Sequence, residues 1–237
     1  MSGRTERVLI VGRSGRVLID AVKGLRDRRY GANATNQYET LLDDYDVREV
    51  DLVIFGGMVP PGTKAHLQAA IRAVNPEVTF MQGLGGIAPL LVAQVEQHFR
   101  GGAAGVEFDA AARAIRVTLP HTAPVVVEAL WATFVPPEPV AHSAVAFDGE
   151  LAAGVHQIAT PDEVPRQGSY AVVRNGSRVS AFQIGETPES VKRLAAAQSL
   201  PAPDPVTSCA SVRVPRAFER AIFTISVRPS STVATAA

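Results

Sequence analysis

Three clusters of small residues stand where this chain could do chemistry: Gly12-Arg13-Ser14-Gly15, Gly56-Gly57, and Gly83 with Gly85-Gly86. Each follows a short apolar run and precedes a segment of helical period. Glycines at such junctions let a ligand or a partner's backbone approach the main chain closely. The free amides of the helix start that follows favour an anion. The residues expected to hold a phosphate-bearing small molecule or nucleotide are therefore Gly12, Arg13, Ser14, Gly15, Gly57 and Gly83. The same glycines also make tight strand-to-helix turns with no ligand at all.

The first cluster can be set against the dinucleotide fingerprint G-x-G-x-x-G and the looser G-x-x-G-x-x-G of short-chain oxidoreductases. Gly12 and Gly15 fill two positions of the looser form, but the third falls on Leu18. No acidic residue follows the second strand to meet a ribose 2′-hydroxyl; "NATNQ" offers amides and a hydroxyl. Arg13 would instead meet a 2′-phosphate, which favours NADP over NAD as the nicotinamide cofactor. The Tyr-x-x-x-Lys pair of short-chain dehydrogenases is missing, since Arg174 follows Tyr170 at that offset and Leu42 follows Tyr38. G-x-S-x-G, G-x-x-x-x-G-K-[ST] and H-E-x-x-H are missing too.

The five histidines, His66, His98, His121, His142 and His156, have no ligand spacing, so no metal site is expected. His66 and His98 fall on the polar sides of helices. Cys209 lies in "VTSCASV" with no histidine nearby in sequence and reads as an incidental thiol. Being the only cysteine, it excludes an intrachain disulfide and fits a reducing compartment. Lys+Arg and Asp+Glu both count 23. That balance lacks the basic footprint of a nucleic-acid or anionic-membrane binder and leaves self-association into a homo-oligomer easy. No apolar run is long enough for a signal peptide or a membrane span, so the chain is expected to be soluble and cytoplasmic.

The elements that must position these residues form two patterns. Residues 7–100 alternate apolar runs with helical segments, the signature of a parallel sheet covered on both faces. Helices are expected over about 16–29, over 64–76 after a "MVPPGT" loop, and over 85–99, where Ile87, Leu91, Val95 and Phe99 form the buried face. The strand "EVTFMQGL" stands between the last two, and only a short helix fits in "TLLDDYD". On the first helix Arg26 is expected to face outward with Asp20, Lys23 and Asp27.

"RGGAAG" interrupts the pattern, and beyond it the period changes to about two, with turns that suit an antiparallel sandwich or small barrel. Asn175-Gly176 reads as the type I′ turn of a hairpin. Trp131 reads as a core anchor on a strand apolar on both faces, which implies a covering partner outside this β-region. The fold class expected is thus α/β plus all-β. An N-terminal Rossmann-like or flavodoxin-like domain (1–100) is followed by a C-terminal β-sandwich-like domain (106–185). After these come an amphipathic helix (186–200) capped by Thr187, a proline-rich connector with returning strands (201–229), and a flexible tail (230–237).

"VDLVIFGGMVPPGTKAHLQAAIRAVNPEV" resembles the third βα unit of response-regulator receiver domains, where a strand ends on a phosphorylated aspartate before a Met-Pro-type loop. Gly56 stands at the matching position, and "VGRSG" stands where receivers carry a magnesium-binding acidic pair. The resemblance implies a flavodoxin-like fold that cannot be phosphorylated by that mechanism. Three functions follow. The first is binding of a phosphate-bearing small molecule or nucleotide, with an NADP-linked or cleft-active enzyme as its catalytic form. The second is a non-catalytic oligomerising or regulatory protein with a degenerate receiver-like domain. The third is a cofactor-free lyase, isomerase or cyclase working between domains. The residues leave open whether the protein is an enzyme.

Overall fold

A computed structural model describes residues 5–135, 138–187, 206–208 and 225–227. Its fold combines a four-stranded parallel sheet flanked by helices with antiparallel sheets, and it has two compact units that divide between Gln82 and Gly83.

The first unit runs β1 (Arg7–Val11), α1 (Gly15–Asp27), β2 (Gly31–Thr35), α2 (Leu41–Asp44), a 3-10 turn (Val47–Glu49), β3 (Leu52–Phe55), α3 (Pro61–Val74) and β4 (Thr79–Gln82). The strands pair in parallel in the order β2-β1-β3-β4. β1 and β3 lie at the centre, and both are apolar runs buried on both faces. Leu9, Val11, Val53 and Phe55 pack with Leu67 and Ile71 of α3, while the alternate residues Val8, Ile10, Leu52 and Ile54 are buried on the opposite face. α1 buries Leu18, Ala21, Val22 and Leu25, the stripe expected from its spacing, and packs on β2.

β2 is a strand in spite of its "GANAT" composition because its neighbours hold its backbone. Arg26 Nε donates to the Ala32 carbonyl at 3.0 Å, an Arg26 terminal nitrogen reaches Asn33 Oδ1 at 3.0 Å, and the Tyr45 hydroxyl donates to the Ala34 carbonyl at 2.9 Å. Arg26, expected to face outward, thus turns in toward β2, where its guanidinium finds the Ala32 carbonyl and the Asn33 side chain. The third helix also begins earlier than expected. Pro60 is its N-cap and Pro61 opens it, where a missing N–H costs nothing.

The second unit contains α4 (Ala88–Arg100), β5 (Val106–Asp109), β6 (Ala114–Leu119), β7 (Ala123–Val135), β8 (Glu138–Leu151), β9 (Gly154–Ala159), β10 (Ser169–Asn175) and β11 (Arg178–Gln183). β11-β10-β7-β8 and β5-β6-β9 form two antiparallel sheets. Val117, Leu119 and Ile158 of the smaller sheet share one cluster with Val125, Val127, Ala171 and Val173 of the larger. The other face of the larger sheet is covered by α4, whose Ala93 and Leu90, with Ile87 just before it, pack on Leu130, Val172, Val179 and Ala181.

That packing moves α4, expected in the first domain, into the unit of the antiparallel sheets, and it supplies from outside residues 106–185 the cover expected for the second face of the Trp131 strand. Trp131 itself is only half-buried, packed near Ala129, Ala144 and Val164 and stacked on His142 at 5.5 Å. The β10–β11 hairpin also differs. Asn175 is still a strand residue, paired with Arg178, so the two turn residues are Gly176 and Ser177. Only Gly176 has a positive φ, +57°, the pattern of a II′ turn with glycine first.

β12 (Val206–Ser208) and β13 (Ile225–Val227) pair antiparallel. The expected helix after Thr187, the "PAPDP" connector, Cys209 and the tail lie outside the described residues. Among the described residues no helix is long and apolar enough to cross a membrane.

Candidate site at the carboxyl edge of the parallel sheet

In the order β2-β1-β3-β4 the connection after β1 leads to one side and the connection after β3 leads to the other. A crevice therefore opens outside the carboxyl ends of these two central strands. Gly12 continues β1 and Gly56 continues β3. The Gly56 amide donates to the Val11 carbonyl at 2.8 Å, and the Gly12 amide donates to the Thr35 carbonyl at 3.0 Å. A β-carbon on Gly56 would stand 3.4 Å from Gly12 Cα, so the two strand ends meet backbone to backbone. Beside them Gly57 faces open space.

Ser14 caps α1, with its Oγ accepting from the Val17 amide at 3.3 Å. The first turn of α1 carries no acidic residue, so no carboxylate of its own competes for the positive end of the helix. The Tyr38 hydroxyl, from the loop after β2, donates to the Gly12 carbonyl at 3.2 Å. Burial pushes the Tyr38 phenol above its ordinary pKa, and the nearby Arg13 charge works in the opposite direction. Arg13 and Tyr38 thus share one side of the glycine pair.

On the other side, Lys64 Nζ donates to Gln82 Oε1 at 2.6 Å, and Gln82 Nε2 donates to the Phe55 carbonyl at 2.8 Å. This relay sets an ammonium beside the ends of β3 and β4. Burial lowers the Lys64 pKa from its ordinary value, and no carboxylate acts against that shift. Spacing alone already puts Lys64 in the first turn of the helix expected over 64–76; what makes it a site residue is the relay through Gln82 to the Phe55 carbonyl, whose members come from β4 and β3 and share no local pattern with it.

Of the six expected site residues, Gly12, Arg13, Ser14 and Gly15 lie together on the β1–α1 junction, and Gly57 follows Gly56 at the end of β3. Gly83 belongs to the other compact unit. Leu18, at the position where a dinucleotide fingerprint has its third glycine, is buried with its side chain over Gly12. A β-carbon on Gly12 would meet Leu18 Cδ2 at 3.0 Å. Leu18 and Tyr38 therefore both cover the glycine over which a dinucleotide pyrophosphate would run.

The histidines do not converge. His66, His98 and His121 are exposed, His142 Nε2 pairs with Thr133 Oγ1 at 2.7 Å, and His156 Nε2 lies 2.8 Å from the Ala152 carbonyl. Among the described residues no group of three or more metal-ligating side chains could hold an ion. Comparison with protein-family models finds no match, and no match is found among curated proteins or among solved structures.

Proposed function

We propose that the first unit is a flavodoxin-like or Rossmann-like binding domain for a small phosphate-bearing ligand, seated at the crevice between the ends of β1 and β3. The observation that carries this reading is the backbone-to-backbone meeting of Gly12 and Gly56 beside an α1 N-terminus whose first turn has no acidic residue. The phosphate lies against the amides that open α1, with Arg13 and Lys64 supplying positive charge from either side. The covering of Gly12 by Leu18 and Tyr38 favours a free phosphate monoester or a mononucleotide over NADP. The second unit, with its two antiparallel sheets sharing one core, is read as a β-sandwich-like module.

A thermal-shift series with inorganic phosphate, mononucleotides, FMN, NAD and NADP tests the reading. A ligand present at ~100 times its Kd stabilises by about 2.7 kcal/mol. A mononucleotide or phosphate is expected to raise Tm in the natural chain, and the Arg13→Ala chain is expected to lose most of that rise. The reading fails if none of these ligands raises Tm at millimolar concentration.

A further inference from the structure

The glycines of the first unit fall into two groups. Gly12, Gly31 and Gly56 are closely neighboured: a β-carbon on them would meet Leu18 Cδ2 at 3.0 Å, Arg7 Cγ at 3.4 Å and Gly12 Cα at 3.4 Å, respectively. Gly57 and Gly62 are not, since a β-carbon on either would have no heavy atom within 4 Å. Neither has a positive φ. Gly57 is the second residue of the turn closed by the Val59 amide on the Gly56 carbonyl at 3.2 Å, a place where most residue types fit. Gly62 lies in the first turn of α3, where glycine costs helix stability relative to alanine. Packing therefore accounts for a bare backbone at Gly12 and Gly56 but not at Gly57 or Gly62.

Both glycines lie on the connection that leaves the phosphate crevice. Gly57 follows Gly56 at the end of β3, and Gly62 stands two residues before Lys64, whose ammonium Gln82 ties to the same strand end. The β1 side is closed, because Leu18 and Tyr38 cover Gly12. A ligand whose phosphate sits between Arg13 and Lys64 thus has its open exit over residues 57–62. That exit is apolar: Met58 is 44% exposed, and Pro60 and Pro61 are exposed close to it in the chain. No charged residue stands between Gly56 and Lys64. Prolines give a rigid apolar surface, and a methionine thioether adapts to the face or edge of an aromatic ring. A polyol would find few hydrogen-bonding side chains on this segment, whereas a planar base would take three exposed apolar residues out of water.

We infer that residues 57–62 carry the ester side of the ligand, and that the ligand is a nucleoside 5′-monophosphate with its base on Met58, Pro60 and Pro61. Gly57 and Gly62 are the clearance that lets the nucleoside lie against the main chain. This inference rests on the phosphate reading of the crevice and adds to it the class of ester.

Calorimetric titration of the full chain with adenosine 5′-monophosphate, glucose 6-phosphate and inorganic phosphate tests it. The nucleotide is expected to bind about tenfold tighter than either of the other two. Gly57→Gln and Gly62→Ala are expected to hold or raise Tm, because the added atoms meet open space, and to weaken the nucleotide about tenfold. Met58→Ser is expected to bring the nucleotide down toward the affinity of glucose 6-phosphate. Two results overturn the inference while leaving the phosphate reading intact. One is inorganic phosphate that binds with the nucleotide no tighter than glucose 6-phosphate, and the other is a nucleotide affinity that neither glycine variant lowers. Absence of binding by all three ligands overturns the inference and the phosphate reading together.

Discussion

Gly56 and Gly12 end neighbouring parallel strands so closely that a β-carbon on the first would touch the Cα of the second at 3.4 Å. The same β-carbon would lie 3.5 Å from the Val11 carbonyl oxygen. Both are ordinary contact distances, so one methyl group fits between the strands and a branched side chain does not. At Gly12 the space is tighter and is closed by a side chain, Leu18 Cδ2 at 3.0 Å. The crevice floor is therefore held down to backbone from two directions.

Alanine at the two positions should separate these constraints. Gly56→Ala is expected to change stability by less than about 1 kcal/mol, since the contact is tolerable and the unfolded chain loses entropy. Gly12→Ala is expected to cost ~1–3 kcal/mol as Leu18 is pushed off its seat. Adding Leu18→Val should recover part of that loss, a coupling visible as non-additivity in urea melts. Equal costs for the two alanine variants would contradict this account.

Much of this site could be read in the sequence because strand ends announce themselves. Uninterrupted apolar runs such as "VLIV" and "LVIF" stop at glycine, and the parallel sheet places those stops on one edge. Periodicity does not say which sheet a helix will cover. α4 is buried from Leu90 to Glu96 rather than on the single face of Ile87, Leu91, Val95 and Phe99, and the residues it sets on the antiparallel sheet are Ile87, Leu90 and Ala93. Lys64 lies in a first helical turn by spacing alone, and what singles it out, the bond to Gln82, comes from β4, eighteen positions on. The Thr160 amide meets the Arg113 carbonyl across nearly fifty positions through β-register alone, which no local pattern encodes.

The β10–β11 turn rests on one left-handed residue. Gly176→Ala places a β-carbon at φ +57°, where L-residues are disfavoured by ~1–2 kcal/mol. A stability loss of about that size is expected, while Ser177→Ala should be nearly silent because Ser177 keeps a negative φ. Chemical denaturation of the two variants checks the II′ assignment. A type I′ turn would instead make Ser177→Gly stabilising.

The buried phenols are expected to make the fold less stable at strongly alkaline pH. Burial pushes the Tyr45 pKa up, the Asp44 carboxylate adds to the shift, and the neutral hydroxyl donates to the Ala34 carbonyl at 2.9 Å. The unfolded chain ionises this group near pH ~10, whereas the folded chain holds the proton to higher pH. The associated stability is therefore whole below pH ~10 and is lost as pH rises through the folded value. Tyr45→Phe is expected to cost about 1 kcal/mol at neutral pH and to flatten the decline above pH ~10. Tyr38 and Tyr170 are shifted in the same direction by burial, so part of the decline is expected to persist in Tyr45→Phe. Parallel denaturant melts from neutral to strongly alkaline pH measure both effects, and an unchanged slope in Tyr45→Phe would remove Tyr45 from the alkaline transition.

Glu96 is the most deeply buried charge in the second unit's helix, with a side chain 3% exposed, and it is matched from two directions. Arg174 of β10 approaches to 2.6 Å and Arg100, one turn along α4, to 3.3 Å. The Arg174 bond ties the helix to the sheet it covers. Truncating one partner of a buried pair leaves the other charge uncompensated, at a cost of ~3–5 kcal/mol. Arg100 remains in Arg174→Ala, so a loss near the lower end, about 3 kcal/mol, is expected. Replacing both members, Glu96→Leu with Arg174→Met, should be much less damaging than the sum of the single changes, because no buried charge is then left behind. A double-mutant cycle by urea denaturation decides the matter. Additive single losses, each under about 0.5 kcal/mol, would mean that the pair behaves like an exposed surface contact and that apolar packing alone seats α4.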